Sequence, residues 1–231
     1  MIFRRAALGV FALAAFLPFV SACSSSDAPA PPAFDDVDVT GRTTNPDGVA
    51  YPTTDLGARP RNGTTPGQRI PNFSFQGYPN SDRSQGLQIV SLADYYDPGQ
   101  ARHKLMYLIA AVCWCPHCQA ETRAIVANSS ALRDKGVVVV QTLMEGADPN
   151  RPLSLVDVDQ WVSGMGTDFT VLIDSEAKRL GTVANIAGVP FNMLVDTRSM
   201  EVLGITIGQL DDVVGYADAG VTWVSTHGPR P

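Results

Sequence analysis

The chain has 231 residues, 45% of them hydrophobic and 17% charged, a balance that fits one globular domain with appendages and excludes wholesale disorder. Seventeen Lys and Arg against 23 Asp and Glu give a formal charge of −6, which argues against a nucleic-acid partner because neutralising phosphates needs a basic surface. Four Cys are too few to staple a chain of this length, and three of them fall between positions 113 and 118, so chemistry is expected there rather than a spread framework.

The first 22 residues are expected to be an address rather than part of the fold. Arg4 and Arg5 form a basic start, and residues 6–20 are an apolar run of about fifteen, the length of a signal-peptide core and short for a membrane span. The run ends in Val20-Ser21-Ala22-Cys23, which resembles a bacterial lipobox. That resemblance implies a lipoprotein signal peptide over 1–22, lipidation of Cys23, and a domain anchored to a membrane without spanning it. An ordinary signal peptide with an incidental Cys is the alternative. By resemblance to enterobacterial lipoproteins, Ser24 favours the outer membrane, which places the domain in the cell envelope facing the periplasm. Residues 23–65 are rich in Pro, Ser and Thr and poor in large apolar residues, and are expected to form a disordered tether, with Tyr51 and Leu56 as the residues able to pack back.

From residue 66 onward the pattern is mixed. Residues 72–75 and 87–92 are short alternating segments. Residues 104–112 and 137–140 are continuous apolar runs, the mark of strands buried on both faces. Between them, 116–135 is expected to be helical, with Gly136 as its C-cap. Helices follow at 155–165 and 175–183, strands at 169–173, 191–195 and 201–207, and a last helix starts near 210. Strands alternating with helices and ending in a hairpin and helix predict an α/β fold with a mixed sheet. The polar stretch 145–152 is a candidate lid or partner surface. Asp157 and Asp159 fit the first turn of a helix, Trp161, Val162 and Met165 a core, and His103 and His227 the surface.

The chemistry concentrates in Cys113-Trp114-Cys115-Pro116-His117-Cys118. Cys115 and Cys118 form a C-x-x-C directly after a buried strand and at the start of a helix. A free cysteine titrates near 8.5 and is about 3% ionised at pH 7, whereas one lowered to ~6 is about 90% ionised. Helix N-terminal amides favour the thiolate of the first Cys. Pro116 suits the first helical turn, His117 can add charge or a hydrogen bond, and Cys118 can close or resolve a disulfide. A zinc ribbon would need a second Cys pair, and a c-type haem site would need His where Gln119 stands. Copper binding by Cys113, Cys115, Cys118 and His117 remains open, as does an inert structural disulfide.

Trp114-Cys115-Pro116-His117-Cys118 resembles the active site of the thioredoxin superfamily. Gly188-Val189-Pro190, followed by the strand at 191–196, resembles that family's cis-proline loop. The opening segment 67–75 (GQRIPNFSF) and Glu121, three residues after Cys118, are similar to its TlpA-like, redoxin branch. The resemblance implies a thioredoxin-like fold over 66–231, with a mixed central sheet flanked by helices, acting as an extracytoplasmic thiol–disulfide oxidoreductase. Cys115 would be the nucleophile, Cys118 the resolving thiol, and His117 and Pro116 their tuning neighbours. Trp114, Val189 and Pro190 would meet the substrate, the backbone at Val189 pairing with a peptide as a short added strand. Protein thiols or disulfides and a redox partner protein are the implied partners, with no cofactor and no metal. The sequence departs from the family in two ways. The Pro-His dipeptide with Val before the cis-Pro resembles DsbA-type oxidants, yet no DsbA-type helical insertion lies between Cys118 and Pro190. Residues 105–112 also lack the buried acid of cytosolic thioredoxins. Scaffold and dipeptide therefore point in opposite directions for electron flow. Peroxiredoxins carry Pro and Thr at set spacing before their reactive Cys, and Ala111 and Val112 do not supply them. Glu121 is open between modulating proton transfer from Cys118 and sitting solvated on its helix. Cys113 is expected to be a buried small residue rather than a third redox thiol.

Overall fold

The computed structural model describes residues 40–56 and 63–229; the expected signal peptide, Cys23 and the first part of the tether lie outside them. In chain order the elements are β1 (Ser74–Tyr78), β2 (Gln88–Ser91), β3 (Leu105–Val112), α1 (Pro116–Ala127), α2 (Ser129–Asp134), β4 (Val137–Glu145), α3 (Leu155–Met165), β5 (Thr170–Ile173), β6 (Phe191–Asp196), β7 (Glu201–Ile207) and α4 (Val213–Thr226). The strands form one sheet in the order β2-β1-β5-β4-β3-β6-β7. β3 lies parallel to β4 on one side and antiparallel to β6 on the other. Its sequence LMYLIAAV is buried at every position, as a strand covered on both faces requires. The parallel β3–β4 pair needs a crossover, which α1 and α2 supply. β6 and β7 form the expected hairpin, and α4 packs on β3 and β6. The mixed sheet with flanking helices is thus as expected from the sequence.

Three expectations are corrected. The helix over 116–135 is two helices, broken at Asn128, whose backbone leaves the helical region (φ −115, ψ 10) while its side chain donates to the carbonyl of Ala124 at 2.8 Å. No α-helix spans 175–183, only two short 3-10 turns, Ser175–Ala177 and Leu180–Thr182. Asp174 is fully buried and its carboxylate accepts from the amides of Arg179 and Leu180 at 2.8 and 3.0 Å. Glu176 and Ala177 take left-handed φ values of 57° and 54° between them, which no α-helix tolerates.

The third correction concerns the expected disorder of the tether, while the packing back of Tyr51 and Leu56 is as expected. The later part of the tether, residues 40–56, packs on the domain. Tyr51 is buried, its hydroxyl donates to the carbonyl of Ile70 at 2.5 Å, and its ring meets that of Tyr96 edge-on. Leu56 is fully buried. Asn45 closes a turn, accepting from the amides of Asp47 and Val49, and its side-chain amide donates to the carbonyl of Tyr96 at 3.0 Å. The buried guanidinium of Arg69 donates to the carbonyls of Thr54 and Ser199. The stretch has few apolar residues, but the two largest, Tyr51 and Leu56, are seated, and its turn at Asn45 is hydrogen-bonded. The folded unit therefore begins well before residue 66.

Candidate active site

The site is built where β3 ends. Its pairing with β4 is regular from Leu105 to Ala111 and then slips, so that Val112 faces Glu145. Such a bulge bends a strand and re-aims the residues after it. The amide of Cys113 donates to the carbonyl of Glu145 at 3.0 Å, and the side chain of Gln119 donates to the carbonyl of Cys113 at 2.8 Å. Cys115 is the N-cap of α1, Pro116 its first residue, and the sulfur of Cys115 accepts from the amide of Cys118 at 3.4 Å. An N-cap normally uses a side-chain oxygen for this task; here a sulfur takes it, which places the thiol in the field of the helix amides. Cys113, Cys115 and Cys118 are all buried and all free thiols.

Burial pushes the Cys118 thiol well above its ordinary range, the neighbouring Cys115 and Glu121 adding to the effect. Glu121 lies one helical turn below Cys118 and is 1% exposed, so the solvated alternative does not hold. One of its oxygens accepts from the amide of Leu210 at 2.7 Å and from the side chain of Asn192 at 3.4 Å; the other has no partner among the described residues. Burial raises this carboxyl to about 7, the two hydrogen bonds pulling it partly back. Asn192 is itself buried, accepting from the hydroxyl of Tyr107 at 2.7 Å and donating to the carbonyl of Gly208 at 3.2 Å. A buried polar network therefore lies beneath the two cysteines. Cys113 is pushed up to about 12 by burial and by Asp157, which keeps it a protonated thiol.

The Val189–Pro190 peptide bond is cis. Pro190 is buried, and its carbonyl accepts from the amide of Gly208 at 2.8 Å. Val189 is half-buried, and its backbone makes no backbone hydrogen bond among the described residues. Trp114 is 42% exposed, its indole N–H held by the carboxylate of Glu145 at 2.7 Å. His117 is exposed and its Nδ1 lies 2.9 Å from Oε1 of Gln209, the residue two positions beyond β7. No group of three or more His, Cys, Asp or Glu is placed to hold a metal among the described residues. Sequence reasoning missed Tyr107, Asn192, Gly208 and Gln209, and had Glu145 only as the start of the polar stretch 145–152. Asn192 left a trace as a polar interruption in the apolar run FNMLVD.

Residues 66–200 match the model of the AhpC/TSA family. The chain belongs to the AhpC/TSA family. No curated protein matches this member of the family. Among solved structures it resembles a Chlorobium tepidum protein assigned as the thiol:disulfide interchange protein DsbE, at 19% identity and a TM-score of 0.53 over 69% of this chain and 97% of that one. It also resembles the thioredoxin domain of a thiol-disulfide oxidoreductase from Bacteroides vulgatus, at 17% identity and 0.50 over 68% and 98%. AhpC of Mycobacterium tuberculosis is similar at 13% identity and 0.51 over 70% and 93%. At these identities the likenesses establish the thioredoxin-like fold of this AhpC/TSA-family chain.

Proposed function

We propose that this redoxin is a thiol–disulfide oxidoreductase acting on protein substrates through Cys115 and Cys118. The observation that carries the reading is the cap itself: a cysteine sulfur accepting the helix amide of a second cysteine one turn away. In the reducing direction, the Cys115 thiolate attacks one sulfur of a substrate disulfide and a mixed disulfide forms. The departing substrate sulfur takes up a proton. Cys118 then gives its proton to Glu121 and attacks Cys115, forming the Cys115–Cys118 bond and releasing the second substrate thiol. Two electrons pass to the substrate, and a redox partner protein returns the dithiol; the oxidising direction is the same path reversed. His117 and Pro116 tune Cys115, while Trp114, Val189 and Pro190 seat the peptide. Lipidation at Cys23 would hold this chemistry at the envelope membrane, the outer one favoured, facing the periplasm.

The test is a glutathione redox titration of the chain, scored by thiol-trapping mass, beside single-turnover exchange with a disulfide peptide. A reversible Cys115–Cys118 couple is expected. A potential near about −120 mV would make it an oxidant, and one near about −270 mV a reductant. Cys115→Ser should abolish exchange, and Cys118→Ser should accumulate mixed disulfides. Exchange surviving Cys115→Ser would refute the reading, as would hydrogen peroxide consumption that survives Cys118→Ser while dithiol exchange is absent.

A further inference from the structure

The three residues after β7 hydrogen-bond to Pro190, Asn192, His117 and Glu121. The amide of Gly208 donates to the carbonyl of Pro190, and its carbonyl accepts from Asn192. The amide of Leu210 donates to Glu121. Gly208 adopts φ +96°, a turn that L side chains rarely make. Gln209 stands between these two anchored residues, so its backbone is held from both sides, and its exposed side chain reaches His117, 92 residues away in sequence. That contact is the one side-chain hydrogen bond His117 makes among the described residues.

We infer that Gln209 is a positioning residue that fixes the His117 ring in its Nδ1–H tautomer and leaves Nε2 as the proton acceptor two residues from Cys115. The two ring nitrogens of a histidine are distinct, and the bond made by one sets the state of the other. With the amide oxygen facing the ring, Nδ1 donates to it whether the ring is neutral or protonated. With the amide NH2 facing the ring, Nδ1 would have to be the acceptor, and a protonated ring would be repelled. The atom that faces the ring is the oxygen, at 2.9 Å, so Nδ1 is the donor. The step balances simply. The proton leaves Sγ of Cys115 for Nε2, giving thiolate and imidazolium, and returns to the departing sulfur at the end of the exchange. This role of Nε2 rests on the dithiol reading above, whereas the tautomer does not.

The experiment is therefore spectroscopic first. The chain has three His, so long-range ¹H–¹⁵N spectra of the labelled full chain resolve the ring of His117, with His117→Ala as the assignment control. The Nδ1–H pattern is expected for the native chain and for Gln209→Glu, which keeps an acceptor oxygen. Gln209→Leu should shift the ring toward the Nε2–H form. Alkylation of Cys115 by iodoacetamide at pH 7 should slow roughly two- to fivefold in Gln209→Leu, the scale of one modest hydrogen bond, and recover in Gln209→Glu. An Nε2–H ring in the native chain, or a ring and an alkylation rate indifferent to Gln209→Leu, would overturn the inference even if dithiol exchange is fast. The expected tautomer pattern in a chain that exchanges no disulfides would instead support the positioning by Gln209 and sink the dithiol reading.

Discussion

Glu121 shows at the scale of one residue how burial converts a surface residue type into site chemistry. Its carboxyl titrates at about 7 in the fold and near 4.3 in an unfolded chain. The folded state therefore holds the proton more tightly between those values. The stability this contributes is fully present below about pH 4 and is lost as pH rises through 7. Glu121→Gln mimics the protonated form, so at pH 8 it should be more stable than the native chain by about 3–4 kcal/mol, with the two nearly equal at pH 4. Urea melts at both pH values decide it, and a difference independent of pH would sink the argument. Cys113 is the complementary case. Pushed up to about 12 and buried, it should resist iodoacetamide at pH 8 in the native chain and react once urea exposes it, as read by mass; rapid native labelling would restore it as a candidate third thiol. The spacing of Cys115, Cys118 and Glu121 was legible in the sequence because it is local to the first two turns of one helix. Their partners were not: Tyr107, Asn192 and Gln209 reach the site from β3, β6 and the end of β7, and nothing in a linear pattern marks which polar residues of separate strands will meet.

At the scale of elements, legibility followed burial on both faces. The runs over β3 and β4 declared themselves because a central strand needs apolar residues at consecutive positions. The stretch 175–183 misled because helix-forming residues there are overruled by one buried carboxylate, Asp174, which collects amides that a helix would have used internally. β1 shows a constraint of a different kind. Gly77 pairs with Leu172 of β5, and a Cβ added to it would lie 2.3 Å from the carbonyl oxygen of Val171 and 2.8 Å from the Cα of Leu172. Those are backbone atoms, which cannot swing aside. Gly77→Ala should therefore force β1 from β5 and cost about 2–4 kcal/mol, beyond the usual overpacking penalty because a sheet ladder is disturbed as well. Chemical denaturation measures the loss, and an unchanged midpoint would mean that the two strands are not this close. The Cys115–Cys118 potential should stay as it was, since β5 and β4 stand between β1 and β3 in the sheet.

The whole molecule departs from its sequence pattern at the segment before residue 66. Composition marks residues 23–65 as a spacer because apolar residues are scarce there, and scarcity is a sound argument against an independent core. It says nothing about a segment that borrows a core already formed. Residues 40–56 do so at a few points: Tyr51 over Ile70 and beside Tyr96, Leu56 buried, Asn45 on the Tyr96 carbonyl, and Thr54 under the guanidinium of Arg69. Arg69 gives the loss its size. It is 8% exposed, and without Thr54 one of its donors faces an apolar surround or newly admitted water. A chain starting at residue 66 would thus lose the burial of Tyr51 and Leu56, about 1.5–3 kcal/mol each at full value, and leave a polar group under-satisfied. It would regain the entropy of ordering the segment. The balance expected is a domain about 2–4 kcal/mol less stable than one starting at residue 40, with a lower urea midpoint. The segment lies against β1, β2 and the Tyr96 turn rather than the cysteines, so both forms should show one redox potential and one exchange rate. Equal midpoints would mean that residues 40–56 rest on the domain without holding it. A changed potential would mean that they reach the site through the sheet, and the two measurements on the same pair of chains separate these outcomes.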